Sequence, residues 1–194
     1  MRKLEKRFIK IGLISISDRA TAGIYEDEGI PSLTNWLKKA LIDKFSLETA
    51  LINDDIELVK KTLIQFSDEK KCNLIFTTGG TGPSPRDITP EATMSISDKV
   101  MPGFGEQMRQ ISLNFVPTAI LSRQTAVIRG KTLIVNLPGQ PKSIEQTLEG
   151  LKNENNNIIV PGIFSAIPYC LDLIGAPFIK TNESVVKSFR PKKK

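Results

Sequence analysis

The 194-residue chain contains no histidine, and its only two cysteines, Cys72 and Cys170, form no Cys-x-x-Cys pair. These absences exclude Ser-His and Cys-His nucleophile systems and histidine-ligated zinc. Cys72 leads into the apolar run Leu74-Ile75-Phe76 and Cys170 follows Tyr169 in an apolar stretch, so both read as packing residues rather than nucleophiles. Aromatic residues make up 6% of the chain and are not interleaved with basic ones, which argues against a base-stacking surface. No apolar run approaches a membrane span, and the charged stretch Met1 to Arg7 leads into a strand-length run rather than a signal-peptide core. The expectation is a cytoplasmic protein without nucleic-acid or membrane partners. Its chemistry must rest on carboxylates, lysine, arginine, hydroxyls, backbone groups and, where needed, a metal ion.

What is present suits one domain spanning 1–194: 40% hydrophobic and 25% charged residues, in a chain long enough for a sizeable core. The formal charge of +6 draws on a short basic tail over about 187–194 (Lys187, Arg190, Lys192, Lys193, Lys194), expected to be a solvated end. The basic balance favours small anionic substrates.

Apolar periodicity alternates along the chain. Ile9 to Ile16, Leu47 to Ile52 and Leu74 to Thr77 read as strands, the third short and apolar enough to be central in a parallel sheet. Between them, Ile30, Leu33, Leu37 and Leu41, then Ile56, Val59, Leu63 and Phe66, recur at helical spacing, with Asp54 or Asp55 equally able to cap the second helix. Thr89-Pro90-Glu91 predicts a helix start with Thr89 as hydroxyl cap, and Met101 to Gly105 breaks that helix. Phe104, Met108, Ile111 and Phe115 mark a further helix. Residues 125–128 and 132–135 flank the hairpin turn Arg129-Gly130-Lys131. Ile144, Leu148 and Leu151 mark another helix, Asn153 to Asn157 a polar loop, and about Gly162 to Gly175 a final helix. Strand–helix alternation predicts an α/β fold, a sheet built with right-handed crossovers.

Three loops follow strands: Ser17 to Gly23, Gly79 to Asp87 and Leu137 to Lys142. In an open parallel sheet, ligands bind beyond the carboxyl ends of strands, so these loops can converge. The second is the most unusual. It opens from Ile75-Phe76-Thr77-Thr78 into Gly79-Gly80-Thr81-Gly82-Pro83-Ser84-Pro85-Arg86-Asp87, which is too constrained for a simple turn and offers bare backbone N–H groups and a terminal carboxylate. It is no Walker loop, since no lysine follows, and no dinucleotide fingerprint, since Pro85 stands at the third glycine position.

Thr77 to Gly82, then four residues, then Asp87, resembles the signature of the molybdenum-cofactor biosynthesis family. Gly12 to Ala20, Met101 to Arg109 and Leu137 to Lys142 extend the likeness to the family's bacterial adenylyltransferase branch, over nearly the whole chain to Phe189-Arg190-Pro191. The resemblance implies a three-layer α/β/α sandwich with a mostly parallel central sheet, related to domains in eukaryotic fusion proteins such as gephyrin. It implies transfer of AMP from ATP to the terminal phosphate of molybdopterin, with Mg2+ as cofactor, a homotrimer, and hand-over of the product to a molybdenum-inserting enzyme. It maps the essential acids onto Asp54 and Asp87, as catalytic and magnesium-binding residues. Ser17, Asp18, Thr78, Gly79, Gly80, Thr81 and Gly82 are expected to contact nucleotide or phosphate. Pro102, Gly103, Glu106, Pro138, Gly139 and Lys142 are expected around the pterin pocket. Simpler roles stand beside these: an Asx turn for Asp18, a cap or an Arg86 ion pair for Asp87, a helix-surface pair for Glu106 and Arg109, an ordinary exposed lysine for Lys142. A pterin-holding module without adenylyl transfer is the competing function.

Overall fold

The computed structural model describes residues 8–155 and 157–191. The basic residues Lys192, Lys193 and Lys194 and the segment Met1 to Arg7 lie outside the described residues.

Strand β1 (Ile9–Ile16) is followed by a single turn of helix, α1 (Asp18–Thr21), and by α2 (Gly29–Ala40), β2 (Phe45–Ile52) and α3 (Ile56–Ile64), which runs into a wider π-type turn at Gln65–Glu69. Then come β3 (Leu74–Thr78), α4 (Thr89–Ser95), β4 (Lys99–Val100), α5 (Pro102–Ser112), a 3-10 turn at Pro117–Leu121, and the hairpin β5 (Ala126–Arg129) and β6 (Thr132–Leu137). The chain closes with α6 (Pro141–Glu149), β7 (Gly150–Lys152), β8 (Ile158–Pro161), a 3-10 turn at Ile163–Ser165 and α7 (Ile167–Leu173).

The main sheet has the order β2-β1-β3-β6-β5-β4. The four strands from β2 to β6 are parallel, β5 is antiparallel to β6, and β4 is antiparallel to β5. Alternation along each strand sends side chains to two cores. Ile11, Leu13, Leu74, Phe76, Leu133 and Val135 pack on one face against α2, α5, α6 and α7 through Leu33, Trp36, Met108, Leu148 and Leu171. Ile14, Ile16, Ile75, Val127 and Ile134 pack on the other against α3 and α4 through Val59, Leu63 and Ala92. Both faces are covered, which is the three-layer sandwich expected. Central β3 is buried at every position, as a doubly covered parallel strand must be. Among the described residues, no helix is long and apolar enough to cross a membrane.

Several expectations need correction. Thr89 is no cap: Ile88 holds the cap position with no side-chain bond, and the Thr89 hydroxyl donates instead to the Gly79 carbonyl at 2.9 Å. Met101 to Gly105 does not break a helix already ended at Ser95; Pro102 begins the next, because proline fits a first helical turn that needs no donor. Phe115 lies beyond that helix and is exposed. Leu151 belongs to β7, not to α6, because it pairs with Val160 of β8 in a second, two-stranded sheet. The helix expected from Gly162 to Gly175 is split at Ala166, with Pro168 in the first turn of α7. The tail is not simply solvated: Arg190 pairs with Asp172, its guanidinium lies 4.8 Å from the Phe178 ring centre, and the Phe189 N–H donates to Ser165 O at 2.9 Å.

Candidate active site

The first three parallel strands end on loops that interlock. Ser17 caps α1, its Oγ accepting from the Ala20 N–H at 3.2 Å. The Asp18 N–H donates to Asp54 Oδ2 and the Asp54 N–H donates to Asp18 Oδ1, each at 2.9 Å. This exchange ties the loop after β1 to the loop after β2. Asp55, not Asp54, caps α3, accepting from the Leu58 N–H at 2.7 Å. The two neighbouring acids are thereby separated: Asp55 serves the helix and Asp54 turns to the sheet end. Arg86 reaches across from the loop after β3 and pairs with Asp18. The backbone bond from Asp54, and then the Arg86 guanidinium, hold the Asp18 carboxyl below the usual carboxylate range.

The loop after β3 turns on two successive left-handed residues, Gly79 (φ +98°) and Gly80 (φ +63°). A Cβ on Gly79 would stand 2.2 Å from the Ile16 carbonyl oxygen, and one on Gly80 would stand 2.4 Å from Thr89 Oγ1 and 3.5 Å from Asp54 Oδ1. Only glycine fits where the chain turns left-handed and passes this close to β1 and to the Thr89 hydroxyl. Thr89 holds the turn from beneath, through its hydroxyl on Gly79 O and its N–H on Gly80 O at 3.1 Å. Asp87 closes the loop, its Oδ2 accepting from the Ser84 N–H at 2.9 Å. The Thr78 hydroxyl donates to Pro138 O at 2.8 Å and so anchors the loop after β6.

These segments enclose a polar cavity of about 590 Å³, lined by Ser17, Arg19, Tyr25, Glu28, Asp54, Gly79, Gly80, Arg86, Asp87 and Gly139 among others. It lies beyond the carboxyl ends of the parallel strands, where open α/β sheets bind ligands. A smaller recess beside it reaches Thr78 and Asp27. No cluster of three or more metal-ligating side chains exists among the described residues. Asp54 and Asp87 each use Oδ2 on a backbone N–H and have no protein partner on Oδ1 among the described residues. That donor set fits magnesium, which keeps several waters and takes one or two carboxylates together with substrate phosphates.

A model of the family described as probable molybdopterin binding domain matches residues 12–181. The chain belongs to this family. A molybdopterin adenylyltransferase from Haemophilus influenzae is 59% identical over 184 residues, spanning 95% of this chain and 93% of that protein. Gephyrin from Dictyostelium discoideum is 34% identical over 98% of this chain, which corresponds to 25% of gephyrin. The solved structure of the molybdopterin biosynthesis enzyme MoaB from Thermus thermophilus superposes with a TM-score of 0.75 at 34% identity, covering 88% of this chain and 99% of that one.

Within this molybdopterin-binding domain the expected residues are distributed unevenly. Ser17, Asp54, Gly79, Gly80, Asp87 and Gly139 meet around the polar cavity. Asp18, Thr78, Thr81, Gly82 and Pro138 stand behind its wall or in the loops that form it, where they bond to the protein itself. Lys142 is exposed on α6 and does not line the cavity. Pro102 and Gly103 line a different hollow of about 390 Å³, with Phe104, Pro161 and Ile163, beside the outer strands, and Glu106 points to solvent. The strand order explains this: β5 lies between β6 and β4, so the loop after β4 is carried away from Gly79 and Gly139. Arg86 does not pair with Asp87, the simpler expectation, but with Asp18. Glu106 and Arg109 are no surface pair either, because Arg109 donates to the Ser122 and Gln124 carbonyls at 3.3 and 3.2 Å. Sequence reasoning missed Arg19, Tyr25 and Thr89. Arg19 stands in the one-turn helix α1 and Tyr25 in the segment after it, and neither carries a periodic signal. Thr89 was hidden by its resemblance to an ordinary helix cap.

Proposed function

We propose that this protein transfers the AMP moiety of ATP to the terminal phosphate of molybdopterin in the cytoplasm, releasing pyrophosphate and an adenylylated pterin. One observation carries the reading: Asp54, Asp87 and the double-glycine turn share a single polar cavity at the carboxyl ends of the parallel strands. Family membership and the names of its relatives support it.

The attacking group is a phosphate monoester, largely dianionic at neutral pH because its second pKa is about 6. A phosphate oxygen forms a bond to the α-phosphorus of ATP, the bond between that phosphorus and the bridging oxygen breaks, and pyrophosphate leaves with the electron pair. No proton has to be removed from the nucleophile, which suits a chain with no histidine. The task is to position two polyanions and offset their charge. The Gly79–Gly80 turn brings backbone close to the phosphates, and Arg19 and Arg86 supply positive charge at the rim. Asp54 and Asp87 are the residues that would hold magnesium. That ion, when bound, offsets charge on the triphosphate and on the departing pyrophosphate.

The test is direct. Purified protein with ATP, magnesium and molybdopterin yields pyrophosphate and adenylyl-molybdopterin. Asp87→Asn, which keeps an oxygen to accept the Ser84 N–H, lowers turnover at least about 100-fold while leaving the melting temperature near that of the parent. Absence of product with the parent protein at saturating substrates refutes the activity; near-normal turnover in the variant refutes the role of Asp87. The homotrimer and hand-over to a molybdenum-inserting enzyme belong to the same proposal. Light scattering checks the first, and product transfer to that enzyme under excess competing nucleotide checks the second. The run of exposed apolar residues Leu113, Phe115, Val116, Ile120 and Leu121 supports self-association.

A further inference from the structure

We propose that Arg123 is the positioning residue of this site: it clamps the loop from Thr81 to Asp87 from outside the cavity and so sets where the Asp87 carboxylate stands. The role rests on the adenylyl-transfer reading above.

Arg123 lies in a short connection between the 3-10 turn and β5, 36 residues along the chain from Asp87. It does not line the cavity. Yet three of its nitrogens donate to the loop. Its main-chain N–H donates to Thr81 O at 2.9 Å, its Nε–H to Gly82 O at 2.8 Å and its Nη2–H to Asp87 O at 2.5 Å. Its Nη1 pairs with the Glu91 carboxylate in the first turn of α4. One side chain thus grips both ends of the loop and the helix that follows it.

The loop needs such a grip. Pro83, Ser84, Pro85 and Arg86 are all exposed, so apolar burial contributes little to their order. Within the closed ring, the Asp87 carboxylate accepts from Ser84, and its Oδ2 lies 2.9 Å from where a Cβ on Gly82 would be. The place of that carboxylate therefore follows from where the main chain of Gly82 and Asp87 stands, and these are the two carbonyls the guanidinium fixes. A planar fork of five donors can hold two carbonyls and a carboxylate together, whereas an ammonium group cannot match that geometry. Glu91 completes the device. Its Oε1 pairs with Arg123, while its Oε2 is covered and has no hydrogen-bond partner among the described residues.

The test compares parent, Arg123→Lys and Arg123→Ala in three measurements: turnover, melting temperature and backbone hydrogen exchange read by peptide mass spectrometry. Expected for Arg123→Lys is a fall in kcat of about 10- to 100-fold, with KM for ATP within about threefold of the parent, since a small misplacement of a carboxylate costs more in the oriented transition state than in substrate binding. Faster exchange is expected in peptides covering 80–91 and not in β1 or α2. Guanidinium ion at non-denaturing concentration partly restores turnover to Arg123→Ala and not to Arg123→Lys, whose side chain fills the space. Parent-like kcat in Arg123→Lys overturns the proposal. So does accelerated exchange across the whole chain, which would make Arg123 an ordinary structural post. If the parent protein itself makes no product, the adenylyl-transfer reading falls, while the exchange measurement still decides whether Arg123 holds the loop.

Discussion

Replacing Gly79 with alanine tests the loop geometry in a way that can be worked from distances. The added Cβ would stand 2.2 Å from the carbonyl oxygen of Ile16, the buried last residue of β1. Ordinary contact requires well over an ångström more, and the obstacle is backbone in a paired strand rather than a flexible side-chain end. The positive φ of +98° adds a conformational cost of about 1–2 kcal/mol for an L side chain. Forcing a methyl group into a packed site adds about 1–3 kcal/mol. The sum, about 2–5 kcal/mol, is a large part of a typical domain's stability of about 5–15 kcal/mol. Gly139→Ala is the control. Its Cβ would meet nothing closer than the Gly79 Cα at 3.8 Å, so its stability stays within about 1 kcal/mol of the parent. Urea unfolding followed by far-ultraviolet circular dichroism measures both. With a slope of about 2 kcal/mol per molar for a chain of this size, Gly79→Ala shifts the midpoint down by about 1–2.5 M while Gly139→Ala stays near the parent. A Gly79→Ala midpoint equal to the parent's, or equal damage from both substitutions, refutes the argument from close approach.

Two further predictions follow from protonation. The Asp18 carboxyl is held below its ordinary range, so the stabilisation it gives is present in full above the unfolded value of about 3.9 and is lost as pH falls through the lower, folded one. The difference in urea midpoint between the parent and Asp18→Asn should be constant from about pH 5 upward and shrink on acidification; a difference that grows in acid would contradict the assignment. Burial pushes the Cys72 thiol up to about 11 and raises Cys170 as well, so neither should react readily with a thiol reagent near neutral pH until denaturant is added. A rapidly titrating thiol in the native protein would show that one of them lies in a more open site than its packing indicates.

The parallel core was legible because its strands are short and apolar and its helices carry a regular stripe. Leu74 to Thr77 reads as central, and the structure buries every position of β3. The hairpin at Gly130 was equally plain from its turn residues. What escaped was set by contacts between distant segments. No local pattern distinguishes Thr89 as a hydroxyl on a carbonyl ten residues back from Thr89 as a helix cap. The two-residue strand β4 is too short for alternation to register, and its placement beyond β5 carries Pro102 and Gly103 away from the polar cavity. The likeness of Asp54 and Asp87 to a pair of essential acids came from the family resemblance, not from charge spacing. Their sharing of one cavity depends on sheet order, which no stretch of sequence states locally.

The reciprocal bonds between the loops after β1 and β2 have a chemical corollary for the acid at position 54. One of its oxygens is already engaged by the Asp18 amide, so only the opposite atom looks outward. An asparagine placed there would keep its carbonyl on that amide and turn its NH2 group toward the ligand. The swap changes shape hardly at all, yet it reverses local polarity, putting hydrogens where a cation would seek lone pairs. The lock that keeps this part of the scaffold in register thereby also dictates which end of a substituted amide the substrate would meet.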